Sequence, residues 1–160
     1  MRRLILIRHA KSAWSTEGLD DHERPLAPRG VKASRWIGET LRAEGWLPDL
    51  VLCSTAVRTR QTVELSGLQT PTRFVRDIYD RMSRDFIDII RRMGGETPTL
   101  ALVGHNTGME TTALLLAEDD ADFGGYPTGA IAVMDFAIER WSELEEGTGR
   151  IVAFRRPREG

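Results

Sequence analysis

"LILIRHAKSAW", Leu4 to Trp14, is the stretch on which the reading of this chain turns. Leu4 to Ile7 is an unbroken aliphatic run of the kind found in strands buried on both faces. Arg8 and His9 follow at once. A cation and an imidazole are costly to bury without partners. They are therefore expected at the open end of the strand, where a ligand can meet them.

Three further runs match the first: "LVLC" (Leu50 to Cys53), "LALV" (Leu100 to Val103) and "AIAVM" (Ala130 to Met134). "RFV" near Phe74 and "IVAF" near Ile151 are weaker strand candidates. Helical spacing lies between them, in Ala33, Trp36, Ile37 and Leu41, in Phe86, Ile89, Ile90 and Met93, and in Met109, Thr112, Ala113 and Leu116. Pro28 and Gly30 bracket the first helix start and Gly45 follows its end; Ser83 is the expected N-cap of the helix through Phe86, and Gly94 and Gly95 end it. The alternation predicts an α/β fold with a mostly parallel central sheet flanked by helices. Glu118 to Gly129 is the longest loop signal. No repeat or linker divides the chain, so residues 1–160 are expected to form one domain.

Composition narrows the function classes. The chain is 41% hydrophobic and 29% charged, with a formal net charge of −2, which gives no general attraction to nucleic acid or anionic lipid. Arg2, Arg3, Arg155, Arg156 and Arg158 read as solvated termini. No apolar run reaches the ~20 residues of a membrane span. The run in "MRRLILIRHAK" is too short for a secretory signal, and the expected setting is cytoplasmic. The one cysteine, Cys53, sits in an apolar strand and reads as a core thiol.

Three predicted strands end alike. The first gives Arg8 and His9, the second Ser54 with Arg58 one helical turn on, and the third His105 and Asn106. Ligands of open α/β sheets bind outside the carboxyl ends of the strands. Two arginines and two histidines are thus expected on one rim. Guanidinium groups match phosphate or carboxylate oxygens in bidentate fashion. The turn from Gly104 to Gly108 opens a helix whose first N–H groups favour an anion. The expected ligand is a compact phosphoryl anion, with one imidazole as nucleophile and the other, if protonated, stabilising charge. A zinc site is disfavoured by the two guanidinium groups and by the lack of His-x-x-x-His or paired-Cys spacing. There is no Gly-x-Ser-x-Gly elbow, Walker loop or Gly-x-Gly-x-x-Gly. His22 reads as a surface or structural residue.

"LILIRHAKSAW" resembles the first strand and R-H-G signature of the histidine phosphatase superfamily, which includes the cofactor-dependent phosphoglycerate mutases. "CSTAVRTRQT" (Cys53 to Thr62) resembles its S-P-x-x-R-A-x-Q-T segment, and "ALVGHNTG" (Ala101 to Gly108) its third block. "DHERPLAPRG" (Asp21 to Gly30) and "YPTGAIAVM" (Tyr126 to Met134) resemble the small SixA-type phosphohistidine phosphatases. The similarity runs from Met1 to about Phe154. It implies a phosphoglycerate mutase-like three-layer sandwich and a phosphatase that needs no metal or cofactor. His9 would be the nucleophile, and Arg8, Arg58 and His105 would complete the phosphate pocket. Asn106 would lend a backbone N–H. Ser15 stands where many relatives have a phosphate-touching asparagine. Asp80, in "IYD", stands where relatives acting on small esters carry a glutamate proton donor. Ala10 and Thr55 replace the motif glycine and proline.

The implied substrate is phosphohistidine on a protein, because the chain is too short to carry the insertions with which larger relatives enclose metabolites. A phosphohistidine also lessens the need for a proton donor, since a phosphoramidate breaks readily once its nitrogen is protonated. The alternatives are hydrolysis of a small phosphate ester, such as a sugar phosphate, and a non-catalytic module that binds phosphate, sulfate or similar anions. Two intact histidines argue against the latter.

Overall fold

A computed structural model describes residues 1–14 and 17–157. Its centre is a six-stranded sheet: β1 (Arg2–Arg8), β2 (Leu50–Ser54), β3 (Thr72–Val75), β4 (Thr99–Gly104), β5 (Ile131–Phe136) and β6 (Arg150–Arg155), in the order β3-β2-β4-β1-β5-β6. All six strands, including the two weaker candidates, fall where the apolar runs predict them.

The alternation of side chains along each strand builds two cores. Leu4 and Leu6, with Leu52, Leu100 and Leu102, face one side, where α4 (Ser83–Met93) and α5 (Gly108–Leu116) cover them. Ile5 and Ile7, with Val51, Cys53, Ala101 and Val103, face the other, against Ile37 and Leu41 of α1 (Pro28–Ala43). This is the expected layering of helices on both faces of a sheet. Two helices were not marked by apolar spacing. α2 (Val57–Ser66) buries mainly Arg58, Thr59, Thr62 and Ser66, and α3 (Arg76–Asp80) buries only Ile78.

The sheet is mixed rather than mostly parallel. β1 pairs in parallel with β4, β4 with β2, and β2 with β3, whereas β5 runs antiparallel to β1 and to β6. The reason lies in the long loop after α5. Gly129, at φ +80°, donates its N–H to the carbonyl oxygens of Arg8 (3.1 Å) and His9 (2.9 Å). The loop thus returns the chain to the end where β1 leaves the sheet, and β5 must run back antiparallel. Apolar content alone carries no strand direction.

Two smaller expectations are also corrected. The N-cap of α4 is Met82, with Ser83 already inside the helix and no side-chain cap. Arg3 is not a solvated terminus: its guanidinium makes a paired contact with the buried carboxylate of Asp135, at 2.8 and 3.0 Å. Cys53 is fully buried, as expected, and burial pushes its thiol up to about 12. Among the described residues no helix is long and apolar enough to cross a membrane.

Candidate active site

The carboxyl ends of β1, β2 and β4 meet as the strand pattern predicts. The backbone N–H of His9 donates to Gly104 O at 3.0 Å, which ties the exit of β1 to that of β4. His105 follows Gly104, and the two imidazole rings lie 5.2 Å apart, centre to centre. Arg58 comes from the first turn of α2 and is 7% exposed, and His9 is 6% exposed. Together with Arg8 and Asn106 they line a cavity of about 240 Å³.

The local sequence fixes each of these groups. Thr62, one turn beyond Arg58 on α2, accepts the Ala10 N–H at 3.0 Å and donates to Arg58 O at 2.7 Å. That hydroxyl joins the residue after the first histidine to the backbone of the arginine. The α1 start comes so close to the same segment that a Cβ on Gly30 would collide with the Lys11 carbonyl oxygen. His9 Nδ1 lies 2.7 Å from Ala10 O. A carbonyl oxygen only accepts, so Nδ1 carries the proton and Nε2 keeps its lone pair.

The charge in the cavity is one-sided. Arg8, Lys11, Arg24 and Arg58 line it with the two histidines, and no aspartate or glutamate is among the described lining residues. Burial, helped by Arg58, Arg8 and Arg24, lowers His9 to about 4; its bond to Ala10 O offsets part of this. Burial lowers His105 to about 3, with His9 and Arg58 adding to the effect. Burial and the neighbouring guanidinium groups thus keep both imidazoles neutral at pH 7, and protonation of His105 would require the negative charge of a phosphoryl group beside it. Two buried polar atoms of this group have no protein partner, Arg8 Nε and His105 Nδ1. An unpartnered buried polar group costs about 1–3 kcal/mol, which is tolerated where a ligand can repay it.

Asp80 is not brought into the cavity. Its carboxylate pairs with Arg76 on the half-exposed flank of α3, at 3.1 Å. The Asn106 side chain is occupied with the helix start, accepting the Glu110 N–H at 3.1 Å. Ser15 lies outside the described residues. Of the two roles expected for His22 the structure shows the structural one: Nε2 meets Thr55 Oγ1 at 2.8 Å, and its ring packs edge-on against Tyr79 at 4.8 Å.

Composition and strand ends did not single out Asp21, Arg24 or Tyr79. Asp21 is the hub. One carboxylate oxygen accepts from Arg58 (3.0 Å) and from the Tyr79 hydroxyl (2.7 Å), and the other accepts from Arg24 (2.9 Å). The Tyr79 hydroxyl, then Arg24 and Arg58, hold this carboxyl far below the ordinary carboxylate range. It is fixed as an anion and cannot serve as an acid at neutral pH. The available signal was "DHERPL" itself, which with Asp20 makes a dense run of ionisable side chains from Asp20 to Arg24.

Known proteins resemble this chain over most of its length. Residues 4–77 match the model of the histidine phosphatase superfamily (branch 1). The uncharacterized protein Rv1276c of Mycobacterium tuberculosis is 39% identical over 95% of this chain and all of its own. A candidate phosphohistidine phosphatase SixA from Nakamurella multipartitia superposes with a TM-score of 0.88 at 27% identity, over 98% of this chain and 96% of that one. A second candidate SixA, from Agrobacterium tumefaciens, gives 0.82 at 29% identity, over 98% and 99%.

Proposed function

The chain belongs to the histidine phosphatase superfamily, and from that premise we propose that it removes phosphoryl groups from phosphohistidine on a protein, by way of a phosphorylated His9. The observation that carries the proposal is a neutral His9, with Nδ1–H held by Ala10 O and Nε2 unprotonated, in a cavity lined by cations and by no described carboxylate.

The reaction proceeds in two displacements. Nε2 of His9 attacks phosphorus in line, an N–P bond forms, and the bond from phosphorus to the leaving nitrogen breaks as that nitrogen takes up a proton. Arg8 and Arg58 offset charge on the non-bridging oxygens, as positioning and electrostatics do in phosphoryl transfer generally. His105 donates one N–H to the same oxygens, and the dianion favours its protonation. Water then attacks the phosphorus of phospho-His9, releasing inorganic phosphate and a neutral imidazole. The guanidinium groups take the part of the charge clamp, and the chemistry we propose calls for no metal or cofactor.

The lack of a described carboxylate in the cavity favours a nitrogen leaving group over an ester oxygen. Alkoxide departure needs a positioned acid, whereas an imidazole nitrogen can be protonated from water. This supports phosphohistidine over a small phosphate ester.

The test is phosphate release, with excess chelator, from a phosphohistidine-bearing protein and from an aryl phosphate. Release from the phosphoprotein that vanishes in His9→Ala is expected. A strong preference for the ester would replace the substrate reading. Activity that survives in His9→Ala would remove the nucleophile.

A further inference from the structure

We infer that Trp14 is a docking residue for the surface of the phosphorylated protein, placed beside the cavity so that it reads what surrounds the phosphohistidine rather than the phosphoryl group. The inference rests on the protein-substrate reading above and adds the residue that would confer it.

Trp14 lines the cavity, yet 87% of it is exposed, the largest exposure of any large apolar side chain among the described residues. The other three tryptophans are not so placed: Trp46 and Trp141 are buried and Trp36 is half-buried. Leaving an indole in water forfeits the burial that makes aromatic side chains valuable to a fold.

The backbone leading to Trp14 is nevertheless firmly held. Ala13 N–H donates to Pro25 O at 2.9 Å, and Ala27 N–H donates to Lys11 O at 2.9 Å. Ala13 O accepts twice from Arg24, from Nε at 3.2 Å and from Nη2 at 3.0 Å. Arg24 also lines the cavity and is itself fixed by Asp21. One guanidinium therefore links the anion site to the carbonyl just before Trp14. A fixed backbone carrying an exposed aromatic is the arrangement of a pre-organised binding anchor, and tryptophan is among the residues most enriched in interface hot spots.

The cavity indicates the occupant. At about 240 Å³ it falls below the ~300–1,000 Å³ of sites that enclose a small molecule. It holds the phosphoryl group, and the remainder of the substrate lies outside, against the rim. Stacking a nucleobase or aryl ring between two walls needs a second aromatic opposite the indole. The only other rings among the described lining residues are His9 and His105. A single open indole face suits an apolar patch on a folded partner.

The experiment compares steady-state kinetics of wild type, Trp14→Ala and Trp14→Phe on a phosphohistidine-bearing protein and on an aryl phosphate, with folding checked by circular dichroism. Trp14→Ala is expected to raise KM for the phosphoprotein about tenfold or more, with the smaller change in kcat, and Trp14→Phe to recover part of it. The effect on the phosphoprotein should exceed that on the aryl phosphate at least about fivefold, since only the former reaches the rim. An equal rise for both substrates overturns the inference in favour of stacking on small aromatic substrates, and no rise for the phosphoprotein overturns it outright. Failure of wild type to act on the phosphoprotein at all would instead defeat the substrate reading.

Discussion

His9 donates from Nδ1 to the carbonyl oxygen of its own neighbour, Ala10, at 2.7 Å. A local backbone contact thus settles which ring nitrogen is nucleophilic. The phosphoryl group is expected on Nε2, and a phosphoenzyme trapped by acid-free quenching should give the 31P resonance of Nε2-phosphohistidine. A phosphoryl group on Nδ1 would require the ring to break its bond to Ala10 and would refute the mechanism.

Burial of the two site histidines gives stability a defined pH dependence. His9 is at about 4 and His105 at about 3 in the folded chain, against 6.5 for a free imidazole. As pH falls below 6.5 the unfolded chain takes up protons that the folded chain refuses. Stability is therefore full above 6.5 and declines as pH falls, towards about 4 for His9 and about 3 for His105, by up to ~1.4 kcal/mol per pH unit for each histidine. Denaturant titrations between pH 7 and 5 in a phosphate-free buffer should show this slope, and His9→Asn and His105→Asn should each flatten it. Equal slopes in wild type and variants would contradict the neutral assignment.

Much of this site was legible in the sequence because strand ends are. An apolar run broken by Arg8-His9, by Ser54 or by His105 states both where a strand stops and what it presents there. The strand direction of β5 was not legible, since it depends on Gly129 meeting the carbonyls of Arg8 and His9 across more than a hundred residues. Nor was the choice between carboxylates. Asp80 and Asp21 are equally acidic in sequence, and only the fold turns one towards Arg76 and the other towards Arg58, Arg24 and Tyr79. α2 was faint for a related reason: the face it buries is made of Arg58, Thr59 and Thr62, which carry no apolar period.

That contrast between the two carboxylates is directly testable. Asp21→Asn leaves the side chain in place but removes the charge that aligns Arg58. It should lower kcat/KM by about tenfold to a hundredfold, since small displacements of positioning groups carry such costs. Global stability should change by less than ~1 kcal/mol, because the Asp21 side chain is half exposed. Asp80→Asn should keep kcat/KM within about twofold, as its partner Arg76 lies outside the cavity. Comparable losses in both variants would restore Asp80 as a proton donor.

Thr62→Val tests whether the anion site and the core of α2 are one structure. Valine matches threonine in shape, so packing is preserved while the hydroxyl is lost. The Ala10 N–H, buried, then has no acceptor, and the Arg58 carbonyl loses one donor. An unsatisfied buried group of this kind costs about 1–3 kcal/mol, and denaturation should register that loss. The distinctive consequence is kinetic. Thr62 joins the chain after His9 to the backbone of Arg58, so its loss loosens nucleophile and charge clamp relative to each other. kcat should fall more than KM rises, by about tenfold or more, because alignment matters most in the transition state. A variant that lost stability yet kept wild-type kcat would show that the two are held together by other contacts.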